Sequence, residues 1–211
     1  MKKRKDFITD KSRQSCLNAI HANIKRGDSC FITGAYGSGK SELLKQINDP
    51  AAIRMRGVGS LYQLLGKMAG VRYASPRAKD SYLNSLCDHP RVIMIDEAQE
   101  LPESIYPYLK IIMDEGNSLI LAGLPELRDL LKAKYPDVLS RLIVLKLNPL
   151  DLDDIRKLLP DFSKDAVDLL HGSTNNMREM MKIVTSCRDY VSSEKLASVD
   201  VDTALQFIDE E

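Results

Sequence analysis

The chain has no excess of charge of either sign. Its 211 residues hold thirty Lys and Arg against thirty Asp and Glu. A global basic field is therefore excluded, and any contact with nucleic acid must come from local patches. Cysteine is scarce: Cys16, Cys30, Cys87 and Cys187 are scattered and form no C-x-x-C pair. That argues against a zinc site or a disulfide framework and for reduced thiols. His21, His89 and His171 lack metal-ligand spacing as well. No run approaches the ~20 apolar residues of a membrane helix. The basic start Met1-Lys2-Lys3-Arg4-Lys5 leads into Asp6-Phe7-Ile8-Thr9-Asp10, which is too charged for a signal-peptide core. Internal repeats and low-complexity segments are missing too. The expectation is a soluble, cytoplasmic protein without membrane contact. Its 44% hydrophobic and 28% charged residues are ordinary for a chain that builds a core.

What is present is an alternation of short apolar runs with amphipathic segments. Ile8 to Lys25 reads as one helix, with Cys16, Leu17, Ile20 and Ile24 on one face and Asp10 or Ser12 as cap. Strands are expected at Cys30–Thr33, Ala52–Arg56, within Arg91–Glu97, and at Ser118–Ala122 and Leu142–Leu147. Helices are expected at Ser41–Ile47, Ser60–Ala69, Ser81–Cys87, Pro102–Glu115 and Leu127–Ala133, with a basic loop from Gly70 to Lys79. Unbroken apolar strands mean burial on both faces, as in a parallel sheet. This predicts an α/β protein with a three-layer arrangement. Beyond Asn148-Pro149 only helical patterns follow, at Leu152–Leu159, Lys164–Leu170, Asn176–Tyr190 and Val201–Ile208. Two domains are expected: an N-terminal helix plus α/β core over 1–148, and a small all-helical lid over 149–211.

Gly34-Ala35-Tyr36-Gly37-Ser38-Gly39-Lys40-Ser41 fits the phosphate-binding pattern G-x-x-x-x-G-K-[ST], with a strand before it and a helix after it. Glycines let the backbone curl so that successive N–H groups point inward, and the helix N-terminus adds its positive end. Lys40 is placed to reach terminal phosphates, and the Ser41 hydroxyl to ligate Mg²⁺. A second element is Val92-Ile93-Met94-Ile95-Asp96-Glu97. An Asp at the carboxyl end of a buried strand sits where open α/β sheets bind ligands, and can hold Mg²⁺. Glu97 follows as a candidate general base for water attacking the γ-phosphate. Together these residues point to ATP and Mg²⁺ as cofactors. Asp96-Glu97-Ala98-Gln99 also looks like a helicase box, but that architecture needs a second motor domain, for which the chain is too short. Arg128, Arg141 and Arg178 are candidate γ-phosphate cations, although an arginine taken alone is more often a surface ion-pair partner.

In this order, the phosphate loop, the Asp96-Glu97 strand end, Ser140-Arg141 before the last strand and Asn176-Met177-Arg178 in the lid resemble the AAA+ ATPases. Within them the chain looks like the branch that holds the transposition ATPase Mu B, the TnsC-type regulators and the ExeA-like secretion ATPases. The runs carrying the likeness are Ile95-Asp96-Glu97-Ala98-Gln99-Glu100-Leu101, Leu121-Ala122-Gly123-Leu124-Pro125-Glu126-Leu127 and Leu139-Ser140-Arg141-Leu142. The resemblance implies a P-loop NTPase sheet with a helical lid, Asp96 as metal residue and Glu97 as catalytic base. It implies Arg178 as a nucleotide sensor, and Arg141 as a finger toward a neighbouring subunit or a cis contact. It also implies a homo-oligomer, ring or filament, that assembles with ATP on double-stranded DNA and recruits or regulates a transposase. The same core would suit a replicative-helicase loader or a scaffold with little hydrolysis. Arg54, Arg56, Arg72, Arg77 and Lys79 are the candidate DNA-phosphate contacts. Two departures stand out. Leu124 occupies a position that the family gives to a polar residue. The ~27 residues before the first strand leave no space for the N-terminal DNA-binding domain of Mu B.

Overall fold

The computed structural model describes residues 11–174 and 176–208. The helix expected from Ile8 appears as α1, Lys11–Arg26; its expected start and the Asp10 cap lie outside the described residues. Five strands follow in chain order: β1 Ser29–Thr33, β2 Ile53–Arg56, β3 Val92–Asp96, β4 Ser118–Gly123 and β5 Leu142–Lys146. Between them run α2 Lys40–Gln46, α3 Leu61–Met68, α4 Lys79–Asp88, α5 Tyr106–Asp114, α6 Pro125–Lys134 and α7 Pro136–Leu139. The loop expected over Gly70–Lys79 is partly helical, because Pro76–Ala78 forms a 3-10 turn leading directly into α4. The helix expected from Pro102 starts as a separate 3-10 turn, Glu103–Ile105.

All strands are parallel, in the order β2-β3-β4-β1-β5. The central strand β4 and its neighbour β1 are buried at every position, as their unbroken apolar sequences require. Alternate side chains serve the two faces. Phe31, Ile93, Ile95, Leu119 and Leu121 join Leu64, Leu86, Leu109 and Ile112 in one core, whereas Cys30, Ile32, Met94 and Ile120 are buried on the opposite face, where α1 and α2 pack. Each such buried aliphatic side chain contributes about 1.5–3 kcal/mol. β5 has one free edge, and Ile143 and Val144 are partly exposed there. At the amino edge, the fully buried Asn117 closes its own hydrogen bonds. Its Nδ2 donates to Leu86 O and Ile112 O at 2.9 Å each, and its Oδ1 accepts from Arg91 N. All four cysteines are free, and burial pushes the Cys30 thiol up to about 12, which makes it unreactive.

The contacts divide the chain into two units. Residues 11–35 and 40–147 form the α/β unit, and residues 36–39 group with 148–208, residue 175 aside. The second unit holds α8 Leu152–Leu158, α9 Lys164–Ser173, α10 Met177–Glu194 and α11 Val201–Ile208. Polar side chains cap their amino ends. Asp151 accepts from Asp154 N, Ser163 from Ala166 N, Asn176 from Arg178 N and Asp200 from Thr203 N, each cap worth about 1 kcal/mol. Leu159, Phe162, Val167, Leu170, Val184 and Cys187 are among the residues of its core. One isolated parallel bridge, Phe162 to Val199, is present where only helices are expected. Among the described residues no helix is long and apolar enough to cross a membrane.

Candidate functional site

Parallel register brings the strand ends together. Arg56 stands opposite Asp96, and Thr33 opposite Gly123, so β1, β3 and β4 deliver their last residues to one carboxyl edge. Helix α2 starts at that edge with Lys40 and Ser41. Lys40 is 7% exposed, and its Nζ donates to Gly34 O at 2.7 Å and Ala35 O at 2.9 Å. Burial lowers its pKa, against the opposing pull of Glu97, Asp96 and Glu126. Burying this cation is costly even with carboxylates nearby to offset part of the cost, which is the condition expected of a group that meets an anionic ligand.

Ser41 and Asp96 line one 350 Å³ cavity together with Leu44, Lys45, Arg54, Met55, Arg56 and Met94. A hydroxyl and a carboxylate in one cavity are hard oxygen donors of the kind Mg²⁺ prefers, with water completing the shell. The residues present therefore fit the metal that the phosphate-loop pattern implies.

Glu97 adopts a left-handed backbone, φ 51° and ψ 46°. For a residue with a Cβ this costs about 1–3 kcal/mol and persists only where its surroundings enforce it. Two neighbours do so. The Glu97 N–H donates to Asp96 Oδ1 at 3.0 Å. Gly57, whose own N–H donates to Asp96 O at 2.9 Å, lies so close that a Cβ there would sit 2.6 Å from Glu97 O. The Glu97 carboxylate accepts from Gln99 Nε2 at 2.6 Å, and Gln99 Oε1 accepts from the Leu124 N–H at 3.3 Å. Leu124 itself is 8% exposed and directly precedes α6. Its side chain can offer no hydrogen bond there.

The structure thus brings Lys40, Ser41, Asp96 and Glu97 to one edge of the sheet. Tyr36, Ser38 and the glycines 37 and 39 belong to the helical unit, where Gly37 (φ +73°) lies against the α10 cap: a Cβ on it would fall 1.9 Å from Asn176 Oδ1. Gly34 and Ala35 stay with the α/β unit and contribute their carbonyls to Lys40. Arg178 is exposed in the first turn of α10, its N–H bonded to Asn176 Oδ1. Arg141 is not among the strand-end group. Its Nη2 donates to Asp114 Oδ2 at 3.0 Å, its Nε to the other oxygen, and its Nη1 to Asp137 O at 2.7 Å, and this pairing lowers the Asp114 pKa. Arg128 lies within α6.

The candidate DNA contacts separate into two groups. Arg54 donates to Ile47 O, and Lys79 to the Tyr108 hydroxyl at 3.1 Å, so both are engaged at home. Arg56, Arg72 and Arg77 are exposed, and the Arg72 guanidinium lies 5.4 Å from the ring centroid of Tyr73, itself 80% exposed. Sequence reasoning missed Gln99, Gly57 and Glu126 as site residues. Only Gln99 left a signal, as the polar residue two positions after Glu97 in a short turn.

No curated protein matches the chain by sequence. Among solved structures, the Holliday junction branch migration motor RuvB of Thermotoga maritima superposes with a TM-score of 0.64 at 17% identity, covering 99% of this chain and 72% of that one. Cdc6p of Pyrobaculum aerophilum gives 0.70 at 13% identity, covering 92% and 66%. The Aeropyrum pernix ORC2 protein, solved as ADPNP–ADP complexes, gives 0.70 at 15% identity, covering 98% and 70%. At such identities the likeness establishes the fold, the five-stranded P-loop sheet with flanking helices. The model of the AAA domain matches residues 22–131, a stretch of just over half the chain that runs from α1 through the phosphate loop and both strand-end carboxylates into α6, and the chain belongs to that family.

Proposed function

We propose that the chain is an ATPase that binds ATP with Mg²⁺, assembles on double-stranded DNA in an ATP-dependent way, and regulates a DNA transposition partner. The convergence of Lys40, Ser41, Asp96 and Glu97 at one carboxyl edge carries the ATPase part. The loop from Gly34 to Ser41 holds the phosphates, with Lys40 as the charge on the terminal ones. Ser41 and Asp96 hold the metal, which neutralises phosphate charge when bound. Glu97 accepts the proton of the attacking water, and Arg178 is the nucleotide sensor that the family resemblance implies. The DNA part rests on the branch resemblance, on Arg56, Arg72 and Arg77 exposed beside β2 and α4, and on solved relatives in fold that include a Holliday junction motor. ATP-dependent growth of an oligomer on duplex DNA, measured by size exclusion and electron microscopy, tests the assembly; an oligomeric state indifferent to ATP and DNA would sink it.

A second reading has its own observations. Leu124 leaves no polar side chain at the end of β4, and Arg141 is tied to Asp114. Both favour an ATP-gated scaffold, in which nucleotide sets assembly and hydrolysis is slow. In a helicase-loader role the same core would capture a replicative helicase, and pull-down with helicase against transposase separates the two partners.

A further inference from the structure

We propose that Gln99 is the positioning residue that aims Glu97, supplying from the β3 side the polar contact that Leu124 cannot supply from β4. The proposal rests on the reading of Glu97 as general base.

The chemistry of the amide dictates how it sits. A backbone N–H can only donate and an ionised carboxylate can only accept. With Leu124 N–H on one side and the Glu97 carboxylate on the other, the Gln99 side chain has one orientation that satisfies both. Oε1 faces β4 and Nε2 faces Glu97. An Asp or Glu at 99 would lose the donor, and an apolar residue would lose both bonds.

The backbone around Glu97 makes such a clamp necessary. Its left-handed conformation takes the chain out of β3 at the point where the carboxylate is needed. Immediately after it comes a single 3-10 turn, Ala98–Glu100, too short to hold a side chain through helical neighbours. Gly57 fixes the Glu97 carbonyl by close approach, but nothing in that contact fixes the carboxylate. Gln99 does, and by a neutral group. An Arg or Lys in its place would neutralise the base it holds. An amide gives direction without adding charge, and its hydrogen bond takes Oε2, which leaves Oε1 to accept the proton of the attacking water. Because the amide is also bonded to Leu124, the residue that follows β4, it couples the chain leaving β3 to the chain leaving β4.

The experiment uses the full chain with ATP and Mg²⁺. Single-turnover and steady-state hydrolysis are measured for the wild type, Gln99→Met, Gln99→Glu and Glu97→Gln, with ATP affinity from a fluorescent analogue and melting temperatures alongside. Gln99→Met is expected to lower kcat roughly 10- to 100-fold, with KM and Kd for ATP within about twofold. Gln99→Glu keeps an acceptor for Leu124 but repels Glu97. Its kcat should fall at least as far as that of Gln99→Met, with KM and Kd for ATP again within about twofold. A purely structural role would lower ATP affinity and melting temperature along with kcat. Wild-type kcat in Gln99→Met overturns the proposal, as does a loss of kcat matched by an equal loss of ATP affinity. If the wild type turns over no faster than Glu97→Gln, the general-base reading itself falls and takes this one with it. If Gln99→Met does not fold, Gln99→Glu decides: kcat lost with ATP affinity kept supports the proposal, and wild-type kcat overturns it.

Discussion

The two units differ in one use of charge: both pair charges at their surfaces, and the α/β unit also buries Lys40. In the helical unit, charges pair at the surface: Arg156 with Asp168 at 2.7 Å, Lys157 with Asp154 at 3.2 Å, and Arg188 with Asp161 at 2.6 Å. Exposed pairs of this kind are worth about 0–1 kcal/mol each. In the α/β unit, Lys40 is buried at the head of α2, its Nζ bonded to backbone carbonyls, and the carboxylates nearest in effect are those of Glu97, Asp96 and Glu126. Burial lowers its pKa, so protonated Lys40 works against folding at neutral pH, and that penalty is relieved only as pH rises through the lowered value toward the ordinary one. Charges that stabilise are displayed, and the charge that destabilises is kept where a phosphate would meet it. The difference identifies the working edge of the molecule better than any count of ion pairs.

The strongest way to break this contrast is Glu97→Gln. Hydrolysis should fall about 100-fold or more while ATP affinity, by calorimetry, changes little; equal rates in the two proteins would remove Glu97 from the chemistry. Next comes Gly57→Ala. Its Cβ would meet a backbone oxygen at 2.6 Å, so the core should lose about 1–3 kcal/mol in urea unfolding, with hydrolysis falling as Glu97 shifts; a neutral substitution would contradict the close approach. Leu124→Asn is expected to raise hydrolysis a few-fold and to cost about 1 kcal/mol, since it buries a polar group where a leucine packs. The smallest effect belongs to the other unit. Hydrogen bonds from Arg188 hold Asp161 below the usual carboxylate value. The stability it contributes is complete above about pH 4 and is lost as pH falls through that lowered value. Asp161→Asn should therefore cost less than about 1 kcal/mol at neutral pH, and leave ATP hydrolysis untouched. A large effect would mean that the helical unit's ion pairs are not merely displayed.

Much of the fold could be read in advance, for reasons visible in single elements. β4 is six residues buried throughout, and an unbroken apolar run has no other stable home in an α/β chain. The four helices after Pro149 were also expected, from helical patterns alone, whereas their caps Asp151, Ser163, Asn176 and Asp200 emerge only in the structure. Arg141 was less so: its side chain is long, and its partner Asp114 lies 27 positions away in sequence. Lys79 at the end of the basic loop and Arg54 on its short strand look like free cations in the sequence, yet Tyr108 and a main-chain carbonyl hold them. Gln99 lay in plain view within Asp96-Glu97-Ala98-Gln99, but its role depends on Leu124, brought alongside only when β3 and β4 pair.

By itself the sequence determined what is local: a strand, a glycine-bearing loop and a helix in succession, with Lys40 and Ser41 where such a loop needs them, and two carboxylates at the end of an apolar run. Those features depend on neighbours within a few residues, and short-range sterics and hydrogen bonding decide them. The tertiary structure alone decided the partners. The register sets Arg56 across from Asp96, Gly57 presses on the Glu97 carbonyl, and β4 hands its Leu124 N–H to Gln99. These choices join residues far apart in the chain, so they exist only once the sheet has formed and its strands have taken one register out of several.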